Sequence, residues 1–259
     1  PSSMVMNLIQ KTVKKINRLG DFTILFFELL KNTICFRMKL NHVLQQIKFL
    51  GNNSMAIIIV SGLFVGLVLG LQGYYTLRRY GSEEALGLLV CLSLVRELGP
   101  VVASLLFSGR AGTSLTAEIG LMRAGEQFSA LEAMGVNPVV RILTPRFVGG
   151  VISVPILCAL FSAVGVLGGW LIAVVMIGVD PGAFWGQMSS GVDFREDVLN
   201  GITKSCIFGI AITQIALYMG NSAKPTPEGV SSATTSCVVI SAFAILGLDF
   251  ILTAFMFNN

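Results

Sequence analysis

GRAGTSLTAEIGLMRAGEQFSALEAMGVNP, residues 109–138, is the most motif-rich polar stretch of the chain. It belongs to a glycine-rich segment, residues 99–146, that lies between apolar runs long enough to cross a lipid bilayer. Connecting segments of this kind carry binding functions more often than the elements they join. The pattern therefore predicts a cytoplasmic segment that contacts another molecule.

The composition is that of an integral membrane protein. Of 259 residues, 54% are hydrophobic and 12% are charged, against roughly 25% charged in a soluble domain. Several apolar stretches approach the length of about 20 residues that a bilayer requires, and Pro155 predicts a kink or tilt in the third. We predict an all-α integral membrane protein with five transmembrane helices, Ser54–Leu77, Ala85–Phe107, Phe147–Gly178, Leu199–Gly220 and Thr234–Phe257.

The distribution of Lys and Arg predicts the orientation. With the N-terminus inside, the inner connecting segments hold 13 of these residues and the outer segments hold 3. This places the N-terminus in the cytoplasm and the C-terminus outside. The net charge of +4 then reflects topology and contact with anionic headgroups, and nucleic-acid binding is not expected. The basic start lacks the apolar region and cleavage site of a signal peptide.

Residues 1–52 are predicted to form a region of their own ahead of the transmembrane permease domain, residues 53–259. Apolar residues recur at helical spacing from Val5 to Ile16, with lysines on the opposite surface, and again from Leu40 to Ile47. Both stripes predict amphipathic helices in the membrane interface. A cytoplasmic helix packed on a partner is the alternative. Phe22–Leu30 is apolar but too short to span a bilayer.

Several classes of chemistry are excluded by the residues present. Five scattered cysteines and a single histidine, His42, give no disulfide framework and no multi-histidine metal site. Gly201–Ser205 resembles a phosphate-binding loop but lacks the glycine before Lys204. Nucleophile-elbow and HExxH patterns are absent as well. We therefore expect no enzyme, no catalytic residue, no metal and no cofactor in this chain, and any ATP hydrolysis must come from another chain.

Four ionisable residues lie inside the predicted spans: Arg96, Glu97, Lys204 and Asp249. Each costs roughly 2.5–3.5 kcal/mol at a helix centre, so such residues are retained where they are paired or solvated. At about 1.5 Å per residue all four fall in the outer half of the membrane, which predicts one charge-balanced cluster. The cluster is either a structural ion-pair network or a substrate-lining site. Lys204 could instead reach the membrane surface.

A short isolated helix is predicted at Glu126–Met134, beginning with Glu126 and Gln127. Phe128, Leu131 and Met134 share one side of it. Gly135 suits the position after a helix end, and the following Asn-Pro pair prevents continuation. The apolar side would fit a groove of a partner protein, or it would pack on the chain's own spans.

Glycines at regular intervals mark two of the spans. Gly62, Gly66 and Gly70 are four residues apart in the first span, and Gly165 and Gly169 repeat the spacing in the third. Small residues at this interval let helix backbones approach closely in membranes. The spacing predicts helix packing along this ridge.

At these residues the sequence resembles the MlaE permease family, the membrane subunit of bacterial ABC-type systems that move phospholipid between membranes with an MCE-domain protein. Glu132–Gly135 also resembles, more weakly, the loop with which other ABC permeases contact their ATPase. The resemblance covers nearly the whole chain. The matching segments are 96–100, 109–112, 117–123, 126–127, 134–135, 137–138, 145–146 and 247–249.

The resemblance implies a homodimer in the inner membrane of a Gram-negative bacterium, with its C-terminus in the periplasm, that maintains outer-membrane lipid asymmetry. Two cytoplasmic ATPase subunits that bind ATP and Mg would drive it through the helix at Glu126–Gly135, acting as a coupling helix. A small STAS-domain protein would accompany each ATPase, and a periplasmic MCE-domain hexamer would complete the system. Phospholipid would occupy a cavity between the two permease copies.

Two other functions remain open. A stand-alone secondary transporter would use Glu97 and Asp249 as proton carriers, and a structural membrane anchor would hold an enzyme complex. An associated nucleotide-binding subunit separates the lipid permease from the secondary transporter. Lipid that co-purifies with the complex separates it from the anchor.

Overall fold

The computed structural model describes residues 2–256, and in this range the chain is helical and contains no strand. Short turns and single-turn helices join the α-helices, which therefore follow one another closely along the chain. The α-helices of the described range are α1 (Ser2–Ile34), α2 (Leu40–Ile47), α3 (Met55–Arg78), α4 (Leu86–Ser93), α5 (Gly99–Phe107), α6 (Thr113–Ala124), α7 (Gln127–Ala133), α8 (Thr144–Trp170), α9 (Pro181–Gly191), α10 (Leu199–Asn221) and α11 (Pro227–Met256).

Five helical segments of the described range are long and apolar enough to cross a membrane, which confirms the predicted all-helical class and number of spans. The segments are longer than predicted because helical turns continue beyond the apolar residues. Phe257, the predicted end of the fifth span, lies outside the described residues. We call the segments spans 1 to 5: Leu40–Arg78, Glu83–Ala124, Val139–Ile177, Phe194–Asn221 and Pro227–Met256.

Span 2 corrects the prediction that the chain leaves the membrane helix at Phe107. The helix continues to Ala124 through Ser108–Gly112, so much of the predicted polar loop is helix. Ala111 and Gly112 are buried, and Gly112 lies where an added Cβ would contact Cys237 and Ile212. Gly109 is exposed and Gly112 is buried, and both lie in continuous helix where the sequence pattern favoured a loop.

Six short π-helices join the α-helices of the described range. Each contains one more residue per turn than an α-helix, and such turns occur frequently at functional sites. Two of them lie in span 2. The six are Lys48–Asn52, Leu94–Leu98, Ser108–Gly112, Val139–Leu143, Leu171–Ile177 and Phe194–Val198.

The N-terminal region contains α1 and α2. Phe22–Leu30 belongs to the same continuous helix as the predicted amphipathic stripe before it. Residues 3–21 are exposed, whereas Leu25 and Leu29 are buried against the bundle. In α2 the predicted stripe is divided, because Val43 is buried while Leu40 and Leu44 are exposed. The interfacial location of both helices stays a prediction.

Spans 1 and 3 pack along the predicted glycine ridge. Gly62, Gly66 and Gly70 are buried in α3. They face Phe161, Gly165 and Gly169 of α8 respectively, so close that added Cβ atoms would meet the backbone of α8. The two glycine series therefore serve one contact within the chain, and the bundle that carries the buried charges is built around it.

Candidate functional site

Lys204 is the centre of a polar cluster inside the bundle, and its side chain is fully buried. Its Nζ atom lies 2.9 Å from Glu97 Oε1 and 3.1 Å from Asp249 Oδ1. It also donates to the hydroxyl of Thr253 at 2.7 Å and to the carbonyl of Arg96 at 3.2 Å. Thr253 in turn donates to Glu97 Oε1 at 3.0 Å. A buried ammonium with this many acceptors is held in one position.

Three different spans contribute to this cluster. Glu97 lies in the π turn Leu94–Leu98 of span 2, Lys204 in the second turn of α10, and Asp249 in the last third of α11. Glycine permits the approach of two of these elements, because an added Cβ on Gly201 would overlap the carbonyl of Val95. Glu97 and Asp249 are partly exposed at 39% and 21%, whereas Lys204 is not. The carboxylates thus line the accessible side of the cluster.

Arg96 joins the predicted four-residue cluster through its backbone carbonyl, whereas its side chain reaches Asp197. The guanidinium of Arg96 pairs with Asp197, whose side chain is 3% exposed. Asp197 Oδ2 also accepts from the backbone N–H of Asp193 at 2.8 Å. Successive residues of a helix point in different directions, so Arg96 and Glu97 reach different partners. The three remaining residues carry two carboxylates and one cation, and they are not charge-balanced among themselves.

An apolar cavity of about 230 Å³ lies beside the cluster, between spans 2, 3 and 4. Val95 and Gly201, neighbours of the charged residues, form part of its wall, and Pro100 and Pro155 form another part. The hydroxyls of Ser162 and Ser205 also line it. Their bonds go to backbone carbonyls of Leu94 and Gly201. The wall is suited to hydrocarbon, and the polar cluster lies next to it.

The short helix α7 ends as predicted. Gly135 has a φ of 74°, and its N–H donates to the carbonyl of Glu132 at 3.0 Å, while Val136 N–H donates to Leu131 at 2.9 Å. These two hydrogen bonds are typical of a helix that ends at a glycine in the left-handed region. Glu126 precedes the helix, with a φ of 57°.

The apolar side of α7 contacts the chain itself, which is the alternative left open by the sequence. Phe128 is buried, and the guanidinium carbon of Arg123 lies 4.9 Å from its ring centre. Leu131 packs against the same apolar cluster, whereas Met134 is 69% exposed. The surface left for a partner is therefore the exposed remainder of α7 and its C-terminal end, which includes Gln127, Ala130, Ala133 and Met134.

Three residues of these sites were missed by the sequence analysis. Asp197 was placed in an outer loop, and Thr253 is a neutral residue of an apolar span. Glu118 pairs with Arg146, Oε1 to Nη2 at 2.6 Å, where α6 and α8 meet. A Glu and an Arg in the predicted polar segment were a signal for this pair, whereas Thr253 gave none.

Comparisons with known proteins match nearly the whole chain. A family model described as Permease MlaE matches residues 43–255. The intermembrane phospholipid transport system permease protein MlaE of Haemophilus influenzae is 49% identical over 98% of this chain and 99% of that protein. A probable ABC transporter permease protein of Rickettsia conorii is 34% identical over 96% of each chain. The chloroplast protein TRIGALACTOSYLDIACYLGLYCEROL 1 of Arabidopsis thaliana is 29% identical over 84% of this chain and 62% of that protein.

Proposed function

We propose, since the chain belongs to the MlaE permease family, that it is the membrane permease subunit of an ABC-type system that moves phospholipid between the inner and outer membranes. The observation that carries this proposal is the 49% identity, over almost the full length of both chains, to a permease named for intermembrane phospholipid transport. Maintenance of outer-membrane lipid asymmetry is the physiological role that we propose for it.

The energy source in this proposal is a separate ATPase subunit that binds ATP and Mg. The sequence supports it because no phosphate-binding glycine loop is present. The exposed side of α7, with Ala130 and Ala133, offers a small flat surface that a groove of the ATPase could receive. A STAS-domain protein and a periplasmic MCE-domain hexamer complete the proposed system.

A second copy of the chain is proposed as the partner within the membrane. The support is the exposed surface of span 5, in which a single stripe of α11 is buried against the rest of the chain. Phe243, Phe250 and Phe255 lie on its exposed surface. Phospholipid in a cavity between two copies would contact such a surface with its acyl chains.

The proposed location is the inner membrane, with the N-terminus in the cytoplasm and the C-terminus in the periplasm. The excess of Lys and Arg in the inner segments supports this orientation. In this orientation Lys204, Glu97 and Asp249 lie in the outer half of the bilayer. A lipid headgroup arriving there would meet the accessible carboxylates of Glu97 and Asp249, whereas Lys204 is buried behind them.

The test is reconstitution of the gently extracted complex. Native mass spectrometry should find two copies of this chain with ATPase subunits and bound phospholipid. In proteoliposomes, movement of a fluorescent phospholipid to acceptor vesicles should require ATP, and the matched control is the same complex with an ATPase that binds but cannot hydrolyse ATP. Lipid transfer driven by a proton gradient without any ATPase subunit would refute the proposal and favour a secondary transporter.

A further inference from the structure

A second cavity, of about 330 Å³, lies on the side of the bundle that carries the N-terminal region and α7. It is an open pocket formed by the turn between α1 and α2, the first turn of α2 and the segment after α7. Its volume accommodates a phosphate group with several water molecules. Four of the eight lining residues are basic, and none carries a carboxylate. The eight are Arg37, Met38, Lys39, His42, Val136, Asn137, Val140 and Arg141.

Within residues 2–256, no carboxylate forms an ion pair with the cations of this cavity. The lining residues fall within 37–42 and 136–141, and the sequence has no Asp or Glu from residue 29 to residue 82 or from residue 133 to residue 179. Ion pairs within the described range involve other cations, namely Arg96, Arg146 and Lys204. Arg37, Lys39 and Arg141 are exposed. Like charges gathered around one space attract an anion from outside.

The surroundings of the cavity identify the kind of anion. Phe36, next to Arg37, is 85% exposed and has a φ of 48°, a left-handed conformation that is unusual for a bulky side chain. Leu40 and Leu44 of α2 are also exposed, at 72% and 55%. Leu40 and Leu44 belong to span 1, so an apolar, lipid-facing surface lies directly beside the basic cavity. A lipid places its phosphate in the basic cavity and its acyl chains beside them.

We infer that this cavity binds the phosphate headgroup of an anionic phospholipid from the cytoplasmic leaflet. Arg37 and Arg141 supply planar donor pairs that match two phosphate oxygens, and Lys39 supplies a point charge. One lipid would thereby join α2 to the segment that follows α7. The inference uses the proposed orientation of the chain and does not depend on the proposed transport activity.

Cys35 provides a reporter at the cavity, since it is the exposed cysteine of the chain and lies two residues before Arg37. The assembled complex, labelled at Cys35 with a fluorophore, is placed in phosphatidylcholine nanodiscs. Quenching is measured with equal mole fractions of spin-labelled phosphatidylglycerol or spin-labelled phosphatidylcholine. We expect local enrichment of phosphatidylglycerol of about fivefold or more, the effect of about one basic residue near a membrane. The variant R37Q/K39Q/R141Q should reduce the enrichment to about one, which means no preference for either lipid.

The matched control is K11Q/K14Q/K15Q, which removes three charges from the exposed part of α1 and should keep the enrichment. Equal loss in both triple variants would show diffuse attraction to the leaflet and overturn the cavity. Reversal of the enrichment by excess inorganic phosphate at constant ionic strength would identify a site for free phosphate. Absence of any preference in the assembled complex, with partner subunits present, would show that a protein covers the cavity, and the inference would be withdrawn.

Discussion

Gly66 of α3 and Gly165 of α8 meet backbone to backbone, so that any Cβ atom on Gly66 would overlap the carbonyl oxygen of Gly165. Spans 1 and 3 therefore approach each other at a distance that only glycine permits. The contact lies within one chain, and substitution at Gly66 tests the fold of the protomer.

Gly66→Ala should lower the free energy of unfolding by about 1–3 kcal/mol, because the added methyl group forces the two helices apart. Gly66→Leu should prevent stable folding. The measurement is the thermal unfolding midpoint in detergent. Gly247→Ala in α11 is the control, since no described atom beyond its chain neighbours and the adjacent helix backbone lies within 4 Å of its Cβ position. Equal midpoints for Gly66→Ala and Gly247→Ala would contradict the close contact.

Lys204→Met should be the most damaging single change in the charge cluster. It leaves Glu97 and Asp249 near each other without their shared cation, and breaking a buried pair costs about 3–5 kcal/mol. Asp249→Asn should be milder, because Lys204 keeps Glu97 as a partner. Expression level and unfolding midpoint measure both. A milder effect of Lys204→Met than of Asp249→Asn would contradict the arrangement.

Arg96→Met should destabilise the protein by about 1–3 kcal/mol, because Asp197 is left buried without its cation. The double variant R96M/D197L should recover part of this loss, since a well-packed apolar pair can replace a buried ion pair. A double-mutant cycle on the unfolding free energy measures the coupling. Arg195→Gln is the control, since Arg195 is an exposed arginine two residues before Asp197. Additive effects of the two single changes would show that the pair is not coupled.

The two sides of α7 should respond differently to substitution. Phe128→Ala should destabilise the permease by about 3–5 kcal/mol, because the ring is buried under Arg123. Ala130→Arg on the exposed side should leave the unfolding midpoint unchanged and reduce recovery of the ATPase subunit in a pull-down. Full recovery of the ATPase with Ala130→Arg would contradict the proposed role of this surface.

Cys35 also tests the orientation. A water-soluble maleimide that does not cross membranes should modify Cys35 in inverted inner-membrane vesicles and leave it unmodified in spheroplasts. The control is Ser190→Cys on a Cys35→Ser background. It places an exposed thiol in α9, which connects spans 3 and 4 on the side of the membrane opposite to Cys35 in the proposed topology. Its labelling pattern should be the reverse. Modification of Cys35 in spheroplasts would invert the proposed topology.

The sequence was sufficient for those features that depend on local composition. Apolar length predicts the five spans, and the glycine interval predicts a close contact along Gly62, Gly66 and Gly70. Gly135 could be predicted because only a few residues suit the left-handed position after a helix. Each of these features is set by residues near one another in the chain.

Features that depend on distant partners could not be predicted. Arg96 and Asp197 are 101 residues apart, and the acidic residue lies in a turn that reads as an outer loop. Gly109 and Gly112 read as loop glycines, yet Gly112 packs against α10 and α11 and the helix continues. The apolar side of α7 could not be assigned, since its spacing is the same whether it faces a partner or its own spans.

The π turn at Leu94–Leu98 lies between α4 and α5 and sets the rotation of one helix relative to the other. One extra residue in a helix turns everything beyond it by about 100° relative to an uninterrupted α-helix. Deletion of one residue within this turn would restore an α-helix but swing α4 away from its present neighbours while α5 stayed in place. The length of this turn is thus restricted in addition to the identities of Arg96 and Glu97. Homologous chains should accept very few insertions or deletions here.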